Sequence, residues 1–203
     1  MEDMALPVAP LAAREQLLDA AFAEMHAHGF RGTSLERILT RTGLTKGALY
    51  HYFKSKKALG LAVVQERVAK AMQDEWINPL RDNHQPFLAI IDMIDRKKTF
   101  YDKENLRLGC VFNNLLLEMS PLDEDFRLAL QAILQTWIKA LCGAIEEAQK
   151  QGELNQGIDA LGFARFIIAT IEGAISIGKN SQDVCAYIQC LETLKNHLHA
   201  LKT

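Results

Sequence analysis

Apolar residues recur along most of this chain at intervals of three and four positions, which places them on one face of an α-helix. Proline is confined to five positions, and the long stretches between them are rich in Ala, Leu, Glu, Gln and Lys, which favour helix. No apolar run shows the alternation of a half-buried strand. The pattern predicts an all-α fold of about nine helices, with an N-terminal helix-turn-helix head of three helices and a larger C-terminal helical bundle.

The first two predicted helices are separated by a connection around Gly29. The apolar face of helix one covers residues 11–28 and stops at this glycine. Thr33, with Glu36 three positions later, has the spacing of a capping box and predicts the start of helix two, which Gly43 ends. A short second helix therefore follows the first after a tight connection.

A third and a fourth helix follow, each with a cap of its own. Thr45 can cap a helix over residues 46–52, and Ser55 can cap the fourth helix after it. Helices two and three are joined by a turn that contains glycine, which is the arrangement of a helix-turn-helix. We therefore predict one domain over residues 1–58, built on this motif, and a second over residues 59–203.

The third helix carries an outward face whose polarity suits a phosphate backbone. Leu49 and Phe53, four positions apart, are predicted to enter the core. Gly47 weakens the helix by about 1 kcal/mol relative to alanine, and its missing side chain would allow close approach of DNA; close packing within the protein is the alternative. The outward residues expected to reach phosphates or base edges are Lys46, Tyr50 and His51, followed by Lys56 and Lys57.

Charge is unevenly distributed along the chain. The whole chain carries −2 at pH 7, but the segment 31–57 holds seven basic residues against the single acid Glu36, a net of +6. The rest of the chain then carries −8. A short basic segment attached to an acidic body is typical of a DNA reader joined to another module; a solvated basic helix face is the alternative.

The residues around the predicted third helix resemble a known family. Residues 33–38 read TSLERI and residues 42–56 read TGLTKGALYHYFKSK, which is similar to the tetracycline-repressor (TetR) family of bacterial transcriptional regulators. The resemblance covers roughly residues 12–60 and departs mildly at Leu39 and Thr40. It implies a homodimeric repressor that binds double-stranded, palindromic operator DNA and is released by a small-molecule effector or by cysteine modification; activation is the alternative. It also implies DNA contacts from Thr45, Lys46, Tyr50 and His51, with Thr33 and Lys56 near the DNA backbone.

The C-terminal body, residues 59–203, is predicted to be a bundle of amphipathic helices. The fourth helix carries apolar residues as far as Met72, ends at Pro79 and the polar stretch 81–85, and is expected to transmit motion between head and body. Ser120 and Pro121 are predicted to start a long helix that ends near Gly152. No apolar stretch is expected to reach the roughly 20 residues that a membrane span requires, so no membrane is expected as a partner.

The last two predicted helices have the character of a subunit interface. The helix after Asp159 is apolar on nearly every side as far as Gly178, so more than one neighbour must cover it. The final helix repeats apolar residues mainly at intervals of four and three. We predict a four-helix contact between two copies of the chain; packing within one monomer is the alternative. Two heads could then read two half-sites of a palindrome.

Polar residues within the apolar helices of the body mark a predicted effector site. Cys110 lies at the start of a helix, where the helix dipole is expected to lower its pKa and favour a reactive thiolate. At least one of Asn113 and Asn114 is expected to turn inward. The pair Gly109-Cys110, and Glu172-Gly173-Ala174 followed by Lys179, resemble the electrophile-sensing branch of the family, which implies an electrophile or oxidant; a plain cavity-lining cysteine is the alternative. The candidate effector residues are Cys110, Asn113, Asn114, Trp137 and Lys179.

Other functions find little support in the sequence. The four cysteines lack metal-site spacing, and His197 and His199 diverge on a helix, so neither a metal nor a cofactor is expected. Neither a catalytic constellation nor a phosphate-binding glycine loop is present, which argues against an enzyme. The remaining alternative is a helical protein-interaction module without DNA binding. The N-terminus has no signal-peptide pattern, so a cytoplasmic location is expected.

Overall fold

The computed structural model describes residues 10–81 and 84–203. These residues form helices and turns, and their only extended pairing is an isolated bridge between Leu154 and Lys202. The predicted all-α class, with a helix-turn-helix head and a C-terminal helical bundle, is confirmed. The head contains α1 (Pro10–Gly32), α2 (Leu35–Thr42) and α3 (Lys46–Tyr52).

The end of α1 is kinked at Gly29, which has φ 70° and ψ 174°. Helix one therefore breaks where predicted, but helical hydrogen bonding resumes beyond the kink as far as Gly32. The predicted cap of helix two is wrong: Ser34, not Thr33, accepts the capping hydrogen bond, from the backbone N–H of Arg37. Gly43 ends α2 in the left-handed conformation, as predicted.

The helix that leaves the head is continuous over residues 56–80, here called the connecting helix. It starts at its predicted cap, Ser55, whose hydroxyl accepts from the backbone N–H of Ala58 at 3.0 Å. The predicted domain boundary after residue 58 falls inside this helix. Its α-helical parts are α4 (Lys56–Val63) and α5 (Ala69–Met72). Each is followed by a π-helical segment, Val64–Val68 and Gln73–Ile77, and the connecting helix ends in a 3₁₀ turn, Asn78–Leu80.

The body contains six further helices, of which α7 was not predicted. The long helix begins later than predicted, because Asp123 rather than Ser120 caps it. Asp159 caps the next helix as predicted, through the backbone N–H of Gly162. The bounds are α6 (Pro86–Phe100), α7 (Lys103–Leu108), α8 (Val111–Met119), α9 (Glu124–Lys150), α10 (Ala160–Ser181) and α11 (Val184–Ala200).

The core is built around α9, which contacts α6, α8 and α10. Both α9 and α10 are long and apolar enough to cross a membrane, with mean hydropathy 1.4 and 1.6 over an 18-residue stretch. The prediction that no apolar stretch has this length is therefore wrong. Both helices pack within the bundle, and α9 supplies fully buried core side chains such as Phe126, Trp137 and Leu141. Length and composition alone do not distinguish such a core helix from a membrane span.

Candidate DNA-binding surface and interior cavities

One face of α3 is fixed in the core and the other is open to solvent. Thr45 caps the helix by accepting a hydrogen bond from the backbone N–H of Ala48 at 3.2 Å. Leu49 is fully buried and Phe53, which follows the helix, is 4% exposed, as predicted. This anchorage fixes the rotation of α3 and leaves the predicted contact residues Lys46, Tyr50 and His51 exposed.

The exposed face of α3 has room for a side chain at Gly47. A Cβ atom added at this glycine would meet only the Thr45 hydroxyl oxygen, at 3.8 Å, which is an ordinary van der Waals contact. Internal packing therefore does not require glycine here, and the alternative of close packing within the chain is wrong. The Lys46 ammonium lies 6.0 Å from the centre of the Tyr50 ring, so a positive charge and a phenol share this face.

The other predicted DNA contacts have partners within the protein. Thr33 is 7% exposed and its hydroxyl donates to the Gly29 carbonyl at 2.6 Å. Lys56 donates to the Arg31 carbonyl at 3.1 Å, and partial burial lowers its pKa. Lys57 contradicts its prediction most clearly, because its ammonium lies 2.7 Å from both Asp123 and Asp125. It points to the body, since those two acids begin α9, and it does not form part of the α3 surface.

The head and the body meet where α8 runs beside α1. The Glu118 carboxylate, on the last turns of α8, accepts from the backbone N–H groups of Phe30 and Arg31 at 2.7 and 2.8 Å. At the other end of α8, His26 contacts the Gly109 carbonyl through Nε2 at 2.8 Å. Gly109 lies two residues before α8 and Glu118 lies near its end, so α8 connects the two contacts, and both contacts are made with α1. We call this pair of contacts the α1–α8 clamp.

A cavity of about 220 Å³ lies beside the first turn of α8. Its walls include Phe22 of α1, Trp76 of the connecting helix, and Tyr101 and Cys110 of the body. Cys110 is 7% exposed, and burial together with the nearby Glu172 carboxyl raises the pKa of its thiol well above the ordinary value. The predicted lowering of this pKa is therefore wrong, because burial outweighs the backbone N–H groups at the helix start.

The other predicted effector residues are divided between structural contacts and cavity walls. The Asn114 amide donates to the Leu108 carbonyl at 2.8 Å and accepts from the Lys179 ammonium at 3.1 Å, so these two residues hold each other. Trp137 is fully buried, with its ring 4.8 Å from that of Trp76. Asn113 lines a second cavity of about 420 Å³ between α8, α9 and α10.

Glu172 entered the prediction only through the resemblance of residues 172–174 to the electrophile-sensing branch and was not among the predicted effector residues. It is 8% exposed, and the Cys110 thiol is the polar group beside its carboxylate; no other donor among the described residues reaches either oxygen. Burial raises its pKa to about 7. Its sequence signals were that short resemblance and an acidic side chain within the mostly apolar run of α10.

An apolar groove lies on the outer face of α10 and α11. Its volume is about 580 Å³, and it is lined by residues of these two helices alone. Phe166 and Ile177 are 47% and 52% exposed there, and His197 lies against the ring of Phe166 at 5.9 Å. These are the two helices for which the sequence predicted a subunit interface. Within residues 10–81 and 84–203, no group of three or more His, Cys, Asp or Glu side chains is placed to hold a metal ion.

The capped α2–turn–α3 unit, its basic outward face and the cavity-bearing helical body define a helix-turn-helix DNA-binding regulator. The chain belongs to the tetR family of bacterial regulatory proteins. The model of that family's N-terminal domain, described as "Bacterial regulatory proteins, tetR family", matches residues 17–63. A model described as "Tetracyclin repressor-like, C-terminal domain" matches residues 86–194. The predicted family and the predicted DNA-binding regulator are confirmed.

Relatives of this chain are named as transcriptional regulators. An uncharacterized HTH-type transcriptional regulator in the lacX 3′ region of Lactococcus lactis is 31% identical over 94% of this chain and 91% of its own length. The HTH-type transcriptional repressor NemR of Escherichia coli is 27% identical over 80% of this chain and 84% of its own length. Regulators of this kind are similar to the chain over both its head and its body.

Solved structures agree with this assignment. The crystal structure of the reduced form of Escherichia coli NemR has a TM-score of 0.82 and 26% identity, covering 94% of this chain and 97% of that one. The regulatory protein TetR from Rhodobacter sphaeroides has a TM-score of 0.81 and 27% identity, covering 91% and 98%. The similarity therefore extends over the whole described fold.

Proposed function

We propose that this protein is a cytoplasmic, homodimeric repressor without enzymatic activity, which releases its operator when a small molecule occupies the body. The observation that carries the proposal is the outward face of α3, where Lys46, Tyr50 and His51 are exposed while Leu49 anchors the helix from behind. The interior cavities support the effector role, since helical bundles hold small ligands between their helices. Repression is the function that the name of the relative NemR gives for that protein.

Replacing Gly47 by alanine separates helix stability from DNA binding. The added methyl group makes only an ordinary van der Waals contact, with the Thr45 hydroxyl, so we expect the free energy of unfolding to stay constant or to rise by at most about 1 kcal/mol. If the DNA backbone approaches here, affinity for DNA falls by about 10-fold, which corresponds to about 1.4 kcal/mol. Gly143→Ala is the matched control, since Gly143 is an exposed α9 glycine with open space around it. Equal DNA affinity for both variants and the wild type would contradict close approach at Gly47.

The groove on α10 and α11 is the proposed dimer contact. In a monomer the apolar side chains of Phe166 and Ile177 stay exposed to water, which is unfavourable in free energy, and a second copy would bury them. We expect Ile177→Glu to give a monomer of 22.8 kDa in analytical ultracentrifugation. Leu128→Glu, at a residue of similar exposure on α9, should leave the dimer intact. A wild-type protein that stays monomeric at all concentrations would refute the dimer.

The α1–α8 clamp is the proposed route from cavity to head, in addition to the connecting helix. Movement at Cys110, which caps α8, displaces the same helix that holds Phe30 and Arg31 through Glu118. The spacing of the two heads would then no longer match the spacing of the two half-sites, so the affinity for operator DNA would fall without unfolding of the head.

We expect Glu118→Ala to free the backbone N–H groups of Phe30 and Arg31. A hydrogen bond to a charged group contributes about 1.5–3 kcal/mol, so amide hydrogen exchange at these residues should accelerate by about 10-fold or more. Glu104→Ala, on the exposed first turn of α7, is the control and should leave exchange unchanged. Equal exchange rates at these two amides in the wild type and in Glu118→Ala would show that Glu118 does not hold the end of α1.

The whole proposal is tested by titrating the protein onto labelled DNA from upstream of its own gene and following fluorescence anisotropy. Binding is expected, and its absence on that DNA and on a random-sequence pool would refute the proposal. Adding N-ethylmaleimide then tests the cysteine route. If N-ethylmaleimide releases the wild-type protein from DNA but does not release Cys110→Ser, Cys110 is the sensor. If both proteins are released, or neither is, the response is assigned to ligands that bind reversibly.

A further inference from the structure

The Cys110 thiol and the Glu172 carboxyl group lie side by side in the body. Cys110 precedes α8 and is 7% exposed, and Glu172 on α10 is 8% exposed. Each group is close enough to act on the other as a hydrogen-bond partner. No other donor among the described residues reaches either oxygen of the carboxyl group. A nucleophile and an acceptor for its proton are therefore paired in the interior.

Packing alone does not account for this carboxyl group. Burying a carboxyl group that is incompletely hydrogen-bonded has a high free-energy cost. The Cys110 thiol offsets little of that cost, because a thiol is only a weak donor. An apolar side chain of similar volume at position 172 would fill the same space without the cost. The pair of groups is therefore better explained by its chemistry than by stability.

The other titratable groups around Glu172 allow it to gain and lose a proton near neutral pH. Lys97 of α6 lowers its pKa but forms an ion pair with Glu75 of the connecting helix. Tyr101, which follows α6, and Tyr187 of α11 stay protonated, since burial raises the pKa of each phenol well above its ordinary value. Among the described residues, no charged group of α7, α8 or α9 shifts the pKa of Glu172. Burial has the largest effect and raises this pKa to about 7.

The Cys110 side of the pair also faces a cavity. Cys110 lines the cavity of about 220 Å³ beside the first turn of α8, whereas Glu172 is not among the residues that line it. The walls include the aromatic rings of Phe22, Trp76 and Tyr101. Such walls and this volume suit a compact, mainly apolar molecule of a few carbon atoms. A molecule in the cavity can therefore meet Cys110 while the carboxyl group stays buried beside the thiol.

We propose that Glu172 accepts the thiol proton of Cys110 when the sulfur adds to a small α,β-unsaturated carbonyl compound in this cavity. In this step a sulfur electron pair forms a bond to the β-carbon, and the S–H proton passes to the Glu172 carboxylate. The π electrons of the C=C bond move onto the carbonyl group as an enolate. Its α-carbon then takes a proton from water, while Glu172 returns its own proton to water. The product is a thioether, and neither an oxidant nor a reductant is needed.

A base beside Cys110 is needed because its thiol is protonated at rest. Burial and the nearby Glu172 carboxyl raise the pKa of the thiol well above its ordinary value, so the thiolate is scarce at neutral pH. Proton transfer to a positioned base during bond formation avoids the free thiolate and accelerates such a step by about 10²–10⁴-fold. If Glu172 were not a base, its negative charge would only disfavour the thiolate. The two roles therefore predict opposite effects when that charge is removed.

The test follows alkylation of Cys110 by methyl vinyl ketone as a function of pH, with mass spectrometry that resolves each cysteine. In the wild type we expect the rate to rise as Glu172 ionises and to level off above about pH 7. In Glu172→Gln we expect a rate about 100-fold lower at about pH 7, which then rises about 10-fold per pH unit because only the thiolate reacts. Exposed Cys185 on α11 is the internal control, and Glu104→Gln on the surface of α7 should match the wild type.

Equal or faster alkylation of Cys110 in Glu172→Gln would overturn the proposal, because Glu172 would then act only as a charge that opposes the thiolate. A wild-type rate that keeps rising to about pH 9 would also overturn it, and this measurement needs no variant. The same conclusion follows if Cys110 of the wild type stays unmodified while Cys185 is alkylated.

DNA binding is measured separately, by anisotropy before and after alkylation. Only the effector role of this reaction rests on the proposed function above; the chemistry at Cys110 does not. Alkylation through Glu172 without DNA release would keep the base and remove its effector role. Failure of the protein to bind any DNA would refute the proposed function while leaving the alkylation rates unchanged, so the two failures are distinguishable.

Discussion

Charge reversal at Lys46 should weaken operator binding strongly while leaving the protein folded. Lys46 begins α3, is exposed, and shares its face with Tyr50, so a glutamate there would meet DNA with the wrong sign. Each head loses about 1–3 kcal/mol, the range of a good base contact, and a dimer carries the change twice. We therefore expect affinity to fall by about 30-fold or more, as measured by anisotropy at a stated salt concentration.

Lys139→Glu is the matched control for this charge reversal. Lys139 is exposed on α9, and the substitution changes the net charge of the chain by the same amount. Both variants should have the same thermal stability, and only Lys46→Glu should lose DNA. Full DNA affinity in Lys46→Glu, together with loss of a partner protein, would favour the interaction-module alternative instead.

Replacing Phe126 by alanine should have the largest effect on stability. Phe126 is fully buried at the start of α9, and its ring lies 4.6 Å from that of Phe30 in the head. Gly60 of the connecting helix completes this contact, since a Cβ atom there would lie 2.5 Å from the Phe30 ring and 2.9 Å from the Phe126 ring. Phe→Ala at such a site costs about 3–5 kcal/mol, which corresponds to a Tm lower by about 6–20 °C.

The measurement is thermal unfolding at matched protein concentrations, because dimerisation makes the Tm concentration-dependent. Phe126→Leu keeps most of the volume and should cost much less, whereas Leu128→Ala changes an exposed residue two positions away and should be nearly neutral. A Tm for Phe126→Ala within about 2 °C of the wild type, equivalent to less than about 1 kcal/mol, would show that this junction does not hold head and body together.

The helix-turn-helix could be predicted closely because its signals are local. Thr45, Ser55 and Gly43 act on the backbone within a few positions, and all three cap or end the helices that they were predicted to cap or end. Leu49 and Phe53 face the core because their spacing fixes one side of α3. The error at Thr33 is also local, because Thr33 and Ser34 are neighbouring hydroxyl residues at nearly the same distance from the start of α2. Ser34 is the residue that caps the helix.

The body could not be predicted in the same way because its contacts join distant residues. Lys57 was predicted to contact DNA phosphates, yet it pairs with Asp123 and Asp125, which lie more than sixty positions away. Glu118 has no sequence feature that marks it as a partner of α1. The Cys110 prediction failed for the same reason, because the burial that raises its pKa depends on tertiary packing.

The central claim, that two heads of this protein read one palindromic operator, is tested most directly by selection from a library of random duplex DNA. If two heads bind together, the recovered sequences share two inverted half-sites, with centres one helical turn apart, about 34–36 Å, or a multiple of it. The selected sequence should then bind the wild type and not Lys46→Glu. Recovered sequences without a shared inverted motif would contradict the account.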